Sequence, residues 1–400
     1  MRSVELLAPA GDMECLKTAL YFGADAVYCG GPLLQLRAES TTFDFEKLQE
    51  AVDYTHAKGK KIYVTVNCFA DNDEIPMVGD YANRLYHMGV DAVIVSDLGV
   101  LSEIKEHCPR LPVHISTQAN TQNYKTIKVF KSLGASRVVL GREMTMKAIE
   151  ELKDKVDGTE IEVFVHGAMC MAYSGRCLLS SFMNNRSGNR GECSQPCRWN
   201  YYLVEEKRRN MFIPVTETEG ATAILSSTDL KAISFLDRLE AAGVTSFKIE
   251  GRMKSPYYVA TVVNAYRHRI DGTGTLEECD AELDCASHRP YAAGFYFGEA
   301  KADPNNDGLY RQTCRFTGIV TGDSENGICT VEMRNRFAVG DTLEILSPNS
   351  VGKSFTVEKI TAENGEEKSE AILVQEKVKL ACPYELKAGD ILRKRLPDAK

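Results

Sequence analysis

The sequence predicts an α/β fold: a (β/α)8 TIM-like barrel with a Cys-rich insertion after strand 7, followed by a small C-terminal β-barrel. Three observations predict it. A helix-like stretch that stops at Gly and is followed at once by a β-branched run recurs through the first 250 residues. Eight such strand candidates can be counted, with helical segments between them. From about Thr313 the pattern changes to short strands and turns.

The strands follow in order. VELLAPAG opens the series near Val4, and FGADAVYCG, stopping at Gly23, gives a second strand near Asp25. KGKKIYVTVN (Gly59) and MGVDAVIVSD (Gly89) give strands near Lys61 and Asp91. LPVHISTQ gives a fifth near Pro112, LGASRVVLGR (Gly134) a sixth near Arg137, and IEVFVHG a seventh near Ile161. AGVTSFKIEGR (Gly243) supplies the eighth near Ser246. Gly suits the left-handed C-cap of a helix, and an all-apolar run suits a parallel strand covered on both faces. Helices are expected over Asp12–Phe22, Phe45–Lys58 and Pro76–Met88, among others. A doubly wound sheet is the alternative arrangement of the same elements.

The spacing breaks once, because about 80 residues separate the seventh and eighth strands. The insertion runs over about 167–228 and should hang over the mouth of the barrel, where βα loops lie. It reads as a Cys-rich segment, a hairpin (YYLVEE, then FIPVTE), and then a helix from Asp229 to Ala242. After the eighth strand, Ser255-Pro256 reads as an N-cap and first helical position, opening YYVATVVNAYRHRI. The barrel is thus expected over 1–270, a linker over 271–312 and the small β-barrel over 313–397, where G-D-x-L occurs at Gly340 and Gly389.

Composition narrows the function classes. The chain of 400 residues is 44% hydrophobic and 26% charged, ordinary for a globular protein. No basic n-region precedes an apolar run at the N-terminus, and no stretch approaches the ~18 apolar residues of a membrane span. A cytoplasmic protein is expected, and its 13 cysteines are expected to be reduced. A net charge of −8 argues against non-specific coating of nucleic acid. Locally the balance reverses: from Arg176 to Arg209 seven basic residues face three acidic ones.

Four cysteines crowd one Arg- and Gly-rich stretch: Cys170, Cys177, Cys193 and Cys197, spaced Cys-x6-Cys-x15-Cys-x3-Cys. Only the last pair fits a zinc knuckle. An iron–sulfur cluster also takes four thiolates and accepts wider spacing. Free cysteines are otherwise small buried hydrophobes, but Ser, Asn, Gly and Arg around these four do not build a core. Zinc and iron–sulfur both stay open on spacing alone.

Polar residues recur at the expected C-terminal strand ends: Asn67, Asp97, Gln118, Arg142 with Glu143, His166, and Glu250 with Arg252. Singly each reads as a cap or a loop hydrogen bond. Together they converge on one mouth, as a barrel active site requires. Arg142 and Arg252 suit a carboxylate or phosphate, or simply pair with Glu143 and Glu250. Trp199, with Arg186, Arg190 and Arg198 nearby, could stack a nucleobase and hold phosphates, or pack the hairpin. HExxH, GxSxG, a P-loop and GxGxxG after the first strand are all missing, which removes the usual support for proteases, kinases and Rossmann dehydrogenases.

Three segments carry a resemblance. ELLAPAGDMECLKTALYFGADAVYCGG, HGAMCMAYSGRCLLSSFMNNRSGNRGECSQPCRW and SFKIEGRMKSPYYVATVVNAYR resemble the peptidase U32 or collagenase-like protease family. The tail from about Thr313 resembles that family's small C-terminal domain. Within the family the chain is similar to the bacterial tRNA hydroxylation proteins. The resemblance implies hydroxylation of the tRNA wobble uridine to 5-hydroxyuridine, independent of molecular oxygen and dependent on prephenate. Relatives act on a cytidine of 23S ribosomal RNA or on ubiquinone precursors, and the quinone-pathway members carry a [4Fe–4S] cluster on four cysteines. Cys170, Cys177 and Cys193 match positions shared by those ligands. Cys197 matches the fourth position of some members, and this chain has no cysteine between it and Cys279. The implied partners are tRNA and a paralogous family subunit, with prephenate as co-substrate and no membrane. A peptidase, as the family label says, is the competing reading.

Overall fold

The computed structural model describes residues 4–36, 43–170, 172–199, 202–204, 212–214, 228–298, 310–348 and 350–397. The first seven strands alternate with helices as expected. They are β1 (Glu5–Pro9), α1 (Met13–Tyr21), β2 (Ala26–Gly30), α2 (Phe45–Ala57), β3 (Lys61–Val66), α3 (Ile75–His87), β4 (Ala92–Val95), α4 (Leu98–His107), β5 (Val113–Ile115), α5 (Tyr124–Ser132), β6 (Arg137–Val139), α6 (Met146–Glu150) and β7 (Glu160–Ala168). The glycines that stop the helices take positive φ, for example +88° at Gly89 and +92° at Gly134. An L side chain there would be strained, so the chain turns out of the helix at those points.

The insertion holds α7 (Leu179–Asn184) and the hairpin β8 (Tyr202–Val204) with β9 (Phe212–Pro214), paired antiparallel as the sequence suggests. The next segment departs from expectation. Instead of a helix from Asp229 to Ala242, the chain forms β10 (Asp229–Lys231), which runs antiparallel along the end of β7, and only then α8 (Leu236–Ala241). The physical reason is Asp229. Its carboxylate is buried and takes Nε and NH2 of Arg289 at 3.0 and 2.7 Å, so tertiary pairing overrides the helical pattern.

β11 (Ser246–Ile249) closes the barrel, pairing parallel with β1 at Glu5↔Ser246 and with β7 at Ser246↔Glu162. The doubly wound alternative is thereby excluded: eight parallel strands form a closed TIM-like ring. α9 (Pro256–Asp271) follows, with Ser255 as N-cap accepting from Tyr258 N at 3.4 Å and Pro256 in the first turn. The stretch expected as linker has structure of its own, namely α10 (Leu276–Leu283), opened by a Thr275–Glu278 capping box, and β12 (Tyr291–Ala292), paired to β10.

The chain divides into two compact units. One comprises Met1–Leu16, Ala24–Lys254 and Arg289–Tyr310, and contains the barrel strands. The other comprises Lys17–Gly23, Ser255–His288 and Arg311–Lys400. In the second, eight antiparallel strands form one sheet around a core that includes Val331, Phe337, Leu343, Val378 and Leu392. Its two edge strands, Ser350–Thr356 and Glu367–Lys368, do not pair with each other, so the expected small β-barrel is a half-barrel. Among the described residues no helix is long and apolar enough to cross a membrane.

Candidate active site

The strand ends and the insertion enclose a cavity of about 310 Å³. That volume is at the small end for a ligand pocket. Its walls are Tyr28 of β2, Thr65 and Asn67 at the end of β3, Ile94 of β4, and Ser116 to Gln118 after β5. Arg142 follows β6, Phe164 lies on β7, and Lys248, Glu250 and Arg252 come from β11 and its exit. The roof is the insertion, from Met169 to Arg198.

The floor is cationic but balanced. Arg142 donates to Ala168 O at 2.7 Å and to Glu250 Oε2 at 2.9 Å, and its guanidinium lies 4.0 Å from the centre of the Phe164 ring. Burial opposes its charge, but Glu250 and Cys170 outweigh that and hold it protonated. Arg252 is buried and donates to Thr65 Oγ1 at 2.8 Å and to Gln35 Oε1 at 3.0 Å. Lys248, also buried, stands over the Tyr28 ring at 4.4 Å and donates to Glu162 Oε1 at 2.9 Å.

Below Lys248 a charged network fills the barrel interior. Glu162 also accepts from Arg137 NH1 at 3.0 Å and from Ser246 Oγ at 3.2 Å, and Arg137 reaches Glu5 and Glu160. Burial acts against the Glu162 charge, yet Lys248 and Arg137 prevail and hold its carboxyl down at about 2. His114, wholly buried and edge-on to Tyr63 at 4.7 Å, goes the other way: burial and then Arg137 push its imidazole far below the usual range, so it is neutral. The cavity is therefore seated on an ionic core rather than an apolar one.

The residues singled out from sequence meet there unequally. Asn67, Gln118, Arg142, Glu250 and Arg252 line the cavity. Glu143 does not. Its Oε1 accepts from Ser174 N at 2.8 Å and its buried Oε2 has no hydrogen-bond partner among the described residues, so it anchors the insertion rather than lining the cavity. His166 is also outside the cavity; its ring packs against Tyr291 at 5.3 Å. Asp97 caps α4, accepting from Gly99 N at 2.7 Å, as its bland reading says. Arg142 pairs with Glu250, not with its neighbour Glu143. Lys248 was missed. Its signal was the K-x-E-x-R alternation of FKIEGR, which sends Lys248, Glu250 and Arg252 to one side of an extended chain.

Cys170, Cys177, Cys193 and Cys197 all line this cavity, and none is in a disulfide. The Cys197 thiol is pushed up by burial and then by Cys170, with Cys193 and Cys177 adding and Arg198 opposing. The Cys197 sulfur thus shares its neighbourhood with the other three. Among the described residues no group of three His, Cys, Asp or Glu side chains forms a ready-made metal cage. Four reduced thiols, with Arg142 and Arg198 to offset thiolate charge, are nevertheless the donor set a [4Fe–4S] cluster takes, so the residues fit that group. Gly175, at φ +74°, lets the roof approach: a Cβ there would lie 2.0 Å from Gln118 O.

The cationic face of the insertion is partly spent on the protein itself. Arg190 donates to Phe69 O at 2.7 Å and pairs with Glu74 at 3.0 Å and Asp71 at 3.1 Å, clasping the insertion to the loop before α3. Arg186 donates to Glu192 O at 3.0 Å, and Arg198 to Gln195 and to the Tyr310 hydroxyl. Trp199 is 43% exposed, and Phe182 on α7 is 83% exposed.

Comparison with known proteins bears on both units. The model described as peptidase family U32 matches residues 11–306, and that of the peptidase family U32 C-terminal domain matches 312–393. The tRNA hydroxylation protein P1 of Bacillus subtilis (strain 168) is 38% identical over 400 residues, covering 98% of this chain and 94% of that one. The tRNA hydroxylation protein P of Escherichia coli (strain K12) is 36% identical over 408 residues, with 90% of each chain covered. A protein named collagenase from Porphyromonas gingivalis is 32% identical over 368 residues, covering 86% of this chain and 87% of its own.

Proposed function

This chain belongs to peptidase family U32, and on that footing we propose that it is a tRNA hydroxylase converting the wobble uridine to 5-hydroxyuridine. The reading includes prephenate as co-substrate, independence of molecular oxygen, and a [4Fe–4S] cluster on Cys170, Cys177, Cys193 and Cys197. One observation carries it: four reduced cysteines and a cationic floor share one small cavity at the strand ends. The names of the relatives at 36% and 38% identity, covering nearly the whole chain, supply the reaction class.

The chain's own residues have these parts. Arg142, Arg252 and Lys248 offer three cationic groups to the carboxylates of a small dicarboxylate. Tyr28 and Phe164 give its ring apolar walls. Glu250 fixes the Arg142 fork, and Glu162 fixes Lys248 Nζ. The roof from Met169 to Arg198 restricts water, which strengthens each of these contacts. A cluster held by the four thiolates would supply electrons one at a time. Outside the cavity, Trp199 suits stacking on a base, while Arg186 and Arg198 suit phosphates and Arg190 holds the insertion in place. The same reading has it work in the cytoplasm, alone or with a paralogous subunit.

The test is deletion of the gene in a strain without a redundant paralogue, followed by mass spectrometry of tRNA nucleosides. Loss of 5-hydroxyuridine derivatives, restored by the wild-type gene and not by a Cys170→Ser gene, is the expected result. Undiminished derivatives would overturn it. The collagenase-named relative sets the control: gelatin cleavage by the quadruple Cys→Ser variant at wild-type rate would move the reading to a peptidase.

A further inference from the structure

Outside the cavity, the second unit holds a pair of buried thiols that touch each other. Cys285 follows α10 and Cys314 begins the first sheet strand, and the two sulfurs stand 3.1 Å apart. Two thiols in ordinary contact are further apart than that. The backbones are locked at the same place, with Thr313 N donating to Asp284 O at 2.9 Å, so the two chains are already side by side one residue before each cysteine.

The surroundings divide the pair into unlike partners. Cys314 donates its S–H to Cys285, whose sulfur also receives the Thr313 hydroxyl at 3.6 Å. The buried Arg393 guanidinium, held by Glu282 at 2.8 Å and Glu344 at 3.1 Å, is part of the same cluster. The hydrogen bond from Cys314 brings the Cys285 thiol down against the effect of burial, with Arg393 helping. The same bond pushes Cys314 up. Cys329 and Cys382, buried in the same unit, have no thiol donor or cation to lower them; burial, with Asp390 adding, drives them up, Cys329 to about 12.

We infer that Cys285 and Cys314 are a modification site: a dithiol that a small peroxide oxidises to a disulfide and a cellular thiol reduces again. The Cys285 thiolate attacks one peroxide oxygen, the O–O bond breaks, and hydroxide leaves as Cys285 becomes a sulfenic acid. Cys314, losing its proton, displaces the second hydroxide from that sulfur. Two thiols are oxidised by two electrons and one peroxide is reduced to two waters. The bond closes a chain loop from Ala286 to Thr313, and the middle of that loop, Arg289–Tyr310, belongs to the barrel unit.

The experiment uses the full-length, reduced protein and equimolar hydrogen peroxide. Remaining thiols are alkylated after denaturation, and digested peptides are read by mass spectrometry. A cross-linked peptide pair joining Cys285 to Cys314, lighter by two hydrogens and forming at least about tenfold faster than Cys329 or Cys382 is lost, is the expected result. Dithiothreitol should return both thiols. In the Cys314→Ser variant the cross-link should vanish and Cys285 should be trapped by a sulfenic-acid reagent. Cys285 and Cys314 remaining as fully alkylatable as Cys329 through the same peroxide time course of the wild-type protein would overturn the inference, whether or not the variant folds.

Discussion

Replacing Glu162 by Gln removes the one carboxylate that two buried cations share. In the wild type it holds Lys248 at 2.9 Å and Arg137 at 3.0 Å inside the barrel. Breaking such a buried pair from one side costs about 3–5 kcal/mol. Arg137 keeps Glu5 and Glu160, so the stranded charge is chiefly Lys248 and the cost belongs near about 3 kcal/mol. Titration gives the same size. A carboxyl held at about 2 in the folded chain and near 4.5 in the unfolded one contributes about 3 kcal/mol at neutral pH. Its folded value is depressed, so the contribution is complete above pH ~4.5 and is lost as pH falls toward ~2. Urea unfolding followed by far-UV circular dichroism at several pH values checks this. The gap between wild type and Glu162→Gln should be constant from pH 7 to about 5.5 and shrink to less than about half by pH 3. Equal midpoints at pH 7, or a gap indifferent to acid, would refute the ionic-core argument.

Other outcomes follow from the site. Serine in place of any one of Cys170, Cys177, Cys193 or Cys197 should strip most of the iron from anaerobically purified protein, measured by iron and sulfide analysis; a fully loaded Cys197→Ser protein would assign the fourth ligand elsewhere. Gly175→Ala puts a methyl 2.0 Å from Gln118 O in a left-handed backbone position, so the roof must lift. Hydroxylation in the deletion strain should then fall at least about tenfold, while the barrel's melting temperature moves only a few degrees. Arg190→Ala breaks a half-exposed clasp worth under about 1 kcal/mol, so global stability should barely change. Limited trypsin digestion should nonetheless cut within 170–199 sooner than in the wild type.

The barrel was readable because each unit carries its own punctuation. Gly89 and Gly134 end helices, and the apolar runs after them can only be covered strands. β10 was not readable, since three residues paired to the end of β7 leave no periodicity, and what decides them is Asp229 meeting Arg289 some 60 residues on. The cysteines announced themselves by crowding. Glu143 and His166 sat at the right strand ends but turn away, Glu143 to Ser174 and His166 to Tyr291, because position at a strand end does not fix side-chain direction. Lys248 carries only a faint signal, its alternation with Glu250 and Arg252, because a lone Lys is almost always at the surface. The pairing of Arg190 with Glu74, across 116 residues, leaves no local trace at all.

The strand-rich tail is recognisable as a separate module, yet its physical neighbourhood is assembled from three stretches of chain. Phe316 of the tail stacks on Tyr257 of α9 at 5.3 Å and 8°, and Arg393 is seated on Glu282 of α10. A gene fragment cut at residue 312 would keep the sheet's own core and the Arg393–Glu344 pair but lose Tyr257 and Glu282, leaving an aromatic face uncovered and a cation with half its partners. For a recombination event, the piece that keeps both contacts is the tail together with the two helices before it. Swapping tails between relatives should succeed only when α9 and α10 travel with them or already match.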